Sequence, residues 1–133
     1  MKYKVMSKRI IQTDQAPQAI GPYSQAIRIG GFLYTSGQIA LDPISGVFLH
    51  GEIEEETEQT LKNILAILQA DRLDLENVIK TTVYLSDLND FARMNKVYEK
   101  YFSKHKPARA CVQVAALPKG AKVEIDAIAT SLA

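Results

Sequence analysis

Apolar and polar positions along this chain change period several times, and each change marks an element. Lys2–Met6 and Arg9–Gln12 alternate in the manner of short strands, and residues 14–22 are broken by Pro17, Gly21 and Pro22. Tyr23–Ile29 and Phe32–Ser36 predict a hairpin closed by Gly30-Gly31. Ser36-Gly37-Gln38 then interrupts, and a glycine at a strand end marks a bulge or a close approach to another group. Asp42-Pro43-Ile44-Ser45-Gly46 is a turn. From Glu54 to Ala70 the period becomes helical, with Leu61, Ile64, Leu65 and Leu68 on one stripe and Glu54, Glu55, Glu56 and Glu58 at the dipole's positive end. Val78–Leu85 is β-branched and strand-like. Asp90 is placed to cap a second helix with the stripe Phe91, Met94, Val97, Tyr98, Tyr101 and Phe102, which Pro107 stops.

Residues 106–126 close the pattern. Arg109, Cys111 and Gln113 alternate with Ala110, Val112 and Val114, and Lys122, Glu124 and Asp126 alternate with Val123, Ile125 and Ala127. Leu117-Pro118-Lys119-Gly120 supplies a turn between them. If the two strands pair across that turn, an arginine, the only cysteine, a glutamine and two carboxylates share one surface. A guanidinium and a carboxylate held close, but not consumed by each other, suit capture of a small anion. The order β-β-β-α-β-α-β-β predicts an α+β fold, a mixed β-sheet with two helices packed on one face. The other face needs cover too, and self-association is the simplest way to provide it.

Composition narrows the function classes. At 133 residues the chain fits one domain, 1–133, and its 47% hydrophobic content is that of a soluble globular protein. Sixteen basic against fifteen acidic residues give no field for nucleic acid or anionic membrane. A single cysteine, no signal-peptide core and no apolar run near the ~20 residues of a membrane span point to the cytoplasm. Gly-rich phosphate loops, nucleophile elbows, Cys-x-x-Cys and His-Glu-x-x-His are absent, as is the zinc-deaminase signature. His50, His105 and Cys111 have no zinc-type spacing, so no metal is expected. The chemistry is left to arginine, carboxylate, hydroxyls, backbone groups and water.

Several segments, in order, carry a resemblance: Ala-Ile-Gly-Pro-Tyr-Ser-Gln-Ala at 19–26, Ser-Gly-Gln-Ile at 36–39, Gln-Thr-Leu-Lys-Asn-Ile at 59–64 and Lys-Thr-Thr-Val-Tyr-Leu at 80–85. Asp90-Phe91 through Asn95 to Tyr98, Pro107-Ala-Arg-Ala-Cys-Val and Leu117-Pro-Lys-Gly-Ala-Lys-Val-Glu-Ile complete it. The chain resembles the reactive intermediate deaminase family, in its RidA (YjgF) subgroup. The resemblance implies a chorismate-mutase-like fold, a homotrimer with sites between subunits, and no cofactor. It also implies hydrolysis of 2-imino acids such as 2-iminobutanoate and 2-iminopropanoate, released by pyridoxal-phosphate enzymes of amino-acid metabolism, to 2-keto acids and ammonia. The anion-binding arginine falls on Arg109 and the water-handling carboxylate on Glu124. Cys111, Tyr23, Ser36 and Asn95 fall on substrate-binding positions. Asp71-Arg72, Gln113 and Asp126 depart from the family pattern, which bears on substrate range and surface contacts.

Each residue also has a plainer reading. Alone, Arg109 is a surface arginine and Glu124 a solvated strand residue, with Asp126 its competitor. Cys111 has no histidine nearby in sequence and reads as a structural thiol whose backbone matters more than its sulfur. Tyr23 is a packing aromatic, Ser36 a turn residue and Asn95 a structural hydrogen-bonder. With the motif, Arg109 binds the substrate carboxylate as a bidentate fork and Glu124 orients and deprotonates water. The alternatives are a non-catalytic binder of small carboxylic or 2-keto acids with a regulatory role, and a nucleic-acid-acting protein, against which the balanced charge counts.

Overall fold

Among the described residues, six strands and two α-helices follow in the predicted order. The computed structural model describes residues 7–132, so the Lys2–Met6 segment lies outside the described residues. The strands are β1 (Arg9–Ile11), β2 (Ala26–Ile29), β3 (Phe32–Thr35), β4 (Val78–Leu85), β5 (Ala108–Gln113) and β6 (Val123–Thr130). The helices are α1 (Ile53–Ala70) and α2 (Phe91–Phe102). The strands form one mixed sheet in the order β1-β2-β3-β6-β4-β5, antiparallel except where β4 runs parallel to β5.

That order overturns the expected β5–β6 hairpin. The turn at 117–120 is present, but β4 lies between the strands that it joins. Burial gives the reason. In β6, Val123, Ile125, Ala127 and Ala129 are all within 1% of full burial, so the strand belongs in the middle of the sheet. The corresponding face of β5 carries Arg109, Cys111 and Gln113, which only an edge strand can accommodate. A βαβ crossover through α2 therefore seats β5 outside β4.

Both helices lie on one face. Leu61, Ile64, Ile67 and Leu68 of α1, with Met94, Tyr98 and Phe102 of α2, pack on Ile11, Ala26, Leu33, Val83, Ile125, Ala127 and Ala129. Ile67 takes the buried place expected of Leu65, which is half-buried. Glu52 and Glu55 form a capping box at the start of α1. At its end the Arg72 N–H donates to Gln69 O and the Leu73 N–H to Leu68 O, a Schellman motif that holds Arg72 at φ +59°. Asp90 occupies the N-cap of α2 but makes no side-chain cap, because its backbone is already helical at the end of a 3₁₀ turn that Asp87 caps. Among the described residues no helix is long and apolar enough to cross a membrane.

Among the described residues the opposite face carries no helix. Cross-strand partners point to the same side of a sheet, so Ile10, Ile27, Tyr34 and Ile128 form one apolar row across four strands. Ile10 is 60% and Tyr34 46% exposed.

Candidate functional site

Arg109 stands on edge strand β5, two residues after Pro107, on the helix side of the sheet. Its direct partner on β4 is Thr81, whose Oγ1 lies 2.7 Å from the Tyr98 hydroxyl of α2. The guanidinium carbon sits 4.7 Å from the Tyr98 ring centre and 5.3 Å from that of Phe91. Nη1 donates to Asn95 Oδ1 at 2.6 Å. Two rings and one amide thus orient the guanidinium charge, leaving the rest of the fork for an anion. Asn95, Lys106 and Arg109 open onto a cavity of about 480 Å³ at the end of α2. Cys111, two residues on, packs against the core. Burial pushes its thiol up more than nearby Arg109 pulls it down, which fits a structural thiol rather than a nucleophile.

Glu124 lies elsewhere. Its partner on β4 is Tyr84, whose partner on β5 is Val112, whereas Cys111 is aligned with Val83 and Ile125. Glu124 and Asp126 therefore occupy the uncovered face, and Arg109, Cys111 and Gln113 the helix-covered one. The shared surface expected of these residues does not exist within one chain.

The surroundings of Glu124 are built by an irregular strap. From Tyr34 to Gln38 is four residues, while their partners Ile128 and Ile125 are three apart, so one extra residue bulges here. The Thr35 hydroxyl fills the gap by accepting from Ala127 N at 3.0 Å. The bulge brings Gly37 over Glu124 so closely that a Cβ there would overlap the carboxylate. Gly37, Gln38, Ile39 and Leu41, with Tyr23 and Lys119, enclose Glu124 in a cavity of about 330 Å³. Among the described residues its carboxylate accepts no hydrogen bond and makes no ion pair. Burial, and next the charge of Asp126, push its pKa up from the ordinary glutamate value. Asp126 itself accepts from Tyr84 Oη at 3.2 Å. A carboxylate left unpaired and made more basic is equipped to take a proton from water.

Tyr23 joins this cavity on a segment pinned by Gln25, whose amide donates to Thr13 O, Ala16 O and Pro17 O. The Tyr23 hydroxyl accepts from Ile20 N at 3.3 Å. Ser36 does not line the cavity; its hydroxyl donates to Ser24 O at 2.6 Å and ties the residue after β3 to the segment before β2. The structure thus groups Arg109 with Asn95, and Glu124 with Tyr23. Sequence reasoning missed Gln25 and Asn63 as supports and Lys119 as a lining residue, whereas the bulge or close approach expected at Gly37 is present as both. Among the described residues no cluster of three or more His, Cys, Asp or Glu could hold a metal.

Residues 13–131 match the family described as Endoribonuclease L-PSP, with relatives bearing Rid, YjgF and RutC names. The chain belongs to this family. It is 52% identical over 122 residues to 2-iminobutanoate/2-iminopropanoate deaminase of Homo sapiens, covering 92% of this chain and 89% of that one. A crystal structure of a putative endoribonuclease from Thermotoga maritima has a TM-score of 0.91 at 48% identity, covering 92% of this chain and 97% of that one. E. coli TdcF with bound serine has a TM-score of 0.87 at 45% identity, covering 92% and 98% respectively. The departures in this chain have local partners: Asp71 bridges Arg9 and Arg28, Gln113 Oε1 accepts from Leu88 N, and Asp126 accepts from Tyr84.

Proposed function

We propose that this protein is a cofactor-independent 2-imino acid deaminase, acting as a cytoplasmic homotrimer whose sites form between subunits. Arg109 and Asn95 of one subunit bind the substrate carboxylate, with backbone groups at Cys111 beside them. Glu124 and Tyr23 of the next hold the water, and Ser36 fixes the strand that leads to Gly37. The observation that carries this reading is the unpaired Glu124 carboxylate, made more basic by burial and enclosed in a cavity. The split of Arg109 and Glu124 between opposite faces supports a composite site, and the apolar row Ile10, Ile27, Tyr34 and Ile128, with Ile10 and Tyr34 exposed, supports a subunit interface.

In the reaction, the water oxygen bonds to the iminium carbon while Glu124 takes its proton, and the C=N π electrons pass to nitrogen. Protonated Glu124 returns the proton to that nitrogen. The C–N bond then breaks, ammonia leaves, and the remaining hydroxyl gives its proton to the regenerated Glu124 carboxylate as the ketone forms, from where it passes to the departing ammonia. Hydrolysis of a protonated imine is intrinsically easy, so orientation and a positioned base suffice.

The test generates 2-iminobutanoate with a threonine dehydratase and traps what remains with semicarbazide. Wild-type protein should suppress trapping, and Arg109→Ala and Glu124→Gln should each fail to do so. In a cyclic trimer each site takes Arg109 from one subunit and Glu124 from its neighbour. Co-refolding the two variants in equal amounts should therefore restore about one quarter of the wild-type rate. Wild-type protein without effect on trapping would refute the deaminase, and no recovery on mixing would refute the composite site. A regulatory binder would instead bind 2-keto acids equally well as wild type and as Glu124→Gln, with no turnover in either.

A further inference from the structure

One buried amide remains unaccounted for by the reaction. Asn63 is a polar residue in the buried face of α1, 1% exposed, beside the apolar stripe. Its Nδ2 donates to Ile39 O at 3.1 Å and to Leu41 O at 2.9 Å, and its Oδ1 accepts from Gln59 Nε2 at 2.9 Å. Ile39 and Leu41 belong to the strap that walls the Glu124 cavity. The other end of the strap is fixed by the reciprocal bonds of Gln38 and Ile125. The strap is also bonded through its backbone to the next segment, by the Leu41–Phe48 bridge and by Leu49 N donating to Ala40 O at 2.8 Å, but among the described residues Asn63 makes the side-chain hydrogen bonds that tie it to the helix layer. Gln59 in turn sets which end of the Asn63 amide faces the two carbonyls.

We infer that Asn63, oriented by Gln59, is a positioning residue for Glu124, acting by holding the 37–41 strap against its carboxylate. The inference rests on the deaminase reading for its catalytic meaning, but not for its physical content. With the strap released, water reaches Glu124 and the carboxyl becomes more acidic. The other groups facing it stay in place: Asp126 on the same strand, Tyr84 on β4, Tyr23 on the 13–25 segment and Lys119 on the 117–120 turn.

The experiment titrates the Glu124 carboxyl by carbon-13 NMR in wild-type, Asn63→Ala and Gln59→Ala protein, and measures kcat and KM against pH for each. Leu68→Ala, a core truncation in the same helix away from the strap, controls for lost stability. The expected result is a Glu124 titration and an acid limb of kcat moved to lower pH in the Asn63 and Gln59 variants, with kcat reduced about tenfold or more and KM nearly unchanged. Leu68→Ala should lower Tm without moving either titration. If Asn63→Ala does not fold, Gln59→Ala alone decides the matter. An unmoved Glu124 titration in the folded variants would overturn the inference. Absence of turnover in wild-type protein, with the titration still moved, would instead count against the deaminase and leave the strap's role standing.

Discussion

Gly37→Ala separates the cost to catalysis from the cost to folding. The added Cβ would overlap Oε2 of Glu124 and stand 2.9 Å from its Cδ and 3.1 Å from its Cγ. Carbon atoms pack best at about 3.5–4.0 Å, so the carboxyl carbon must retreat by about 1 Å. Gly37 does not use a left-handed conformation, so alanine is compatible with its backbone, and the loss of unfolded-state freedom favours the variant by about 0.4–1 kcal/mol. The group in the way is the end of a half-buried side chain that can swing aside. Overpacking of this kind therefore falls at the low end of its usual range, about 1 kcal/mol, and the net stability change is close to zero. A base displaced by 1 Å, however, costs about 100-fold in kcat. Coupled dehydratase assays beside thermal melts should show that loss with Tm nearly unchanged and KM little altered, because Arg109 lies on the other half-site. In a double-mutant cycle with Glu124→Gln, the alanine should add almost nothing. A kcat within about threefold of wild type would refute the reasoning, as would an activity loss that merely tracks unfolding.

Arg72→Gly should stabilise the protein by about 0.5–1 kcal/mol, raising Tm by about 2–4 °C, because Arg72 holds the left-handed C′ position that glycine fills without a Cβ penalty. An unchanged or lower Tm in calorimetry would contradict this. Asp126→Asn should move the acid limb of kcat to lower pH: Glu124 must be ionised to accept a proton, the rate falls as pH drops through its raised pKa, and Asp126 is the second cause of that rise after burial. Asparagine can still accept from Tyr84, so a limb that stays put would mean that the charge is screened. Tyr34→Glu, in the middle of the exposed apolar row, should turn the assembly into monomer in sedimentation and abolish turnover in the same step. An active monomer would refute the composite site.

The elements themselves were legible because each has a clean period. The expected strand at Val78–Leu85 matches β4 residue for residue, and both helices begin within a residue of their predicted starts. The pairing of the last two strands was less obvious, although the sequence holds a clue. The inward face of 123–129 is wholly apolar and that of 109–113 is not, which marks one as a central strand and the other as an edge. Arg109, Asn95, Tyr23 and Glu124 were singled out by motif, yet their faces depend on the register of strands distant in sequence. Asn63 and Gln25 were invisible for a different reason. A buried amide interrupts an apolar pattern and gives no sign of the carbonyls that it serves until the backbone around it is known.

The opposite-face arrangement also bears on why each half keeps its chemistry. A guanidinium beside Glu124 would pull the carboxyl down and join it in an ion pair, leaving neither free for substrate or water. On its own face, Arg109 spends one nitrogen on Asn95 and rests on two rings, interactions that orient it without neutralising it. Glu124 is meanwhile kept basic by partial burial and by a neighbouring carboxylate. In the proposed assembly the two meet only across a subunit boundary, where a substrate whose own carboxylate satisfies Arg109 can occupy the space between them. A fold that places both groups on one sheet face would have to prevent their pairing by other means. Here the sheet itself keeps them apart, and in the proposed assembly association brings their functions together.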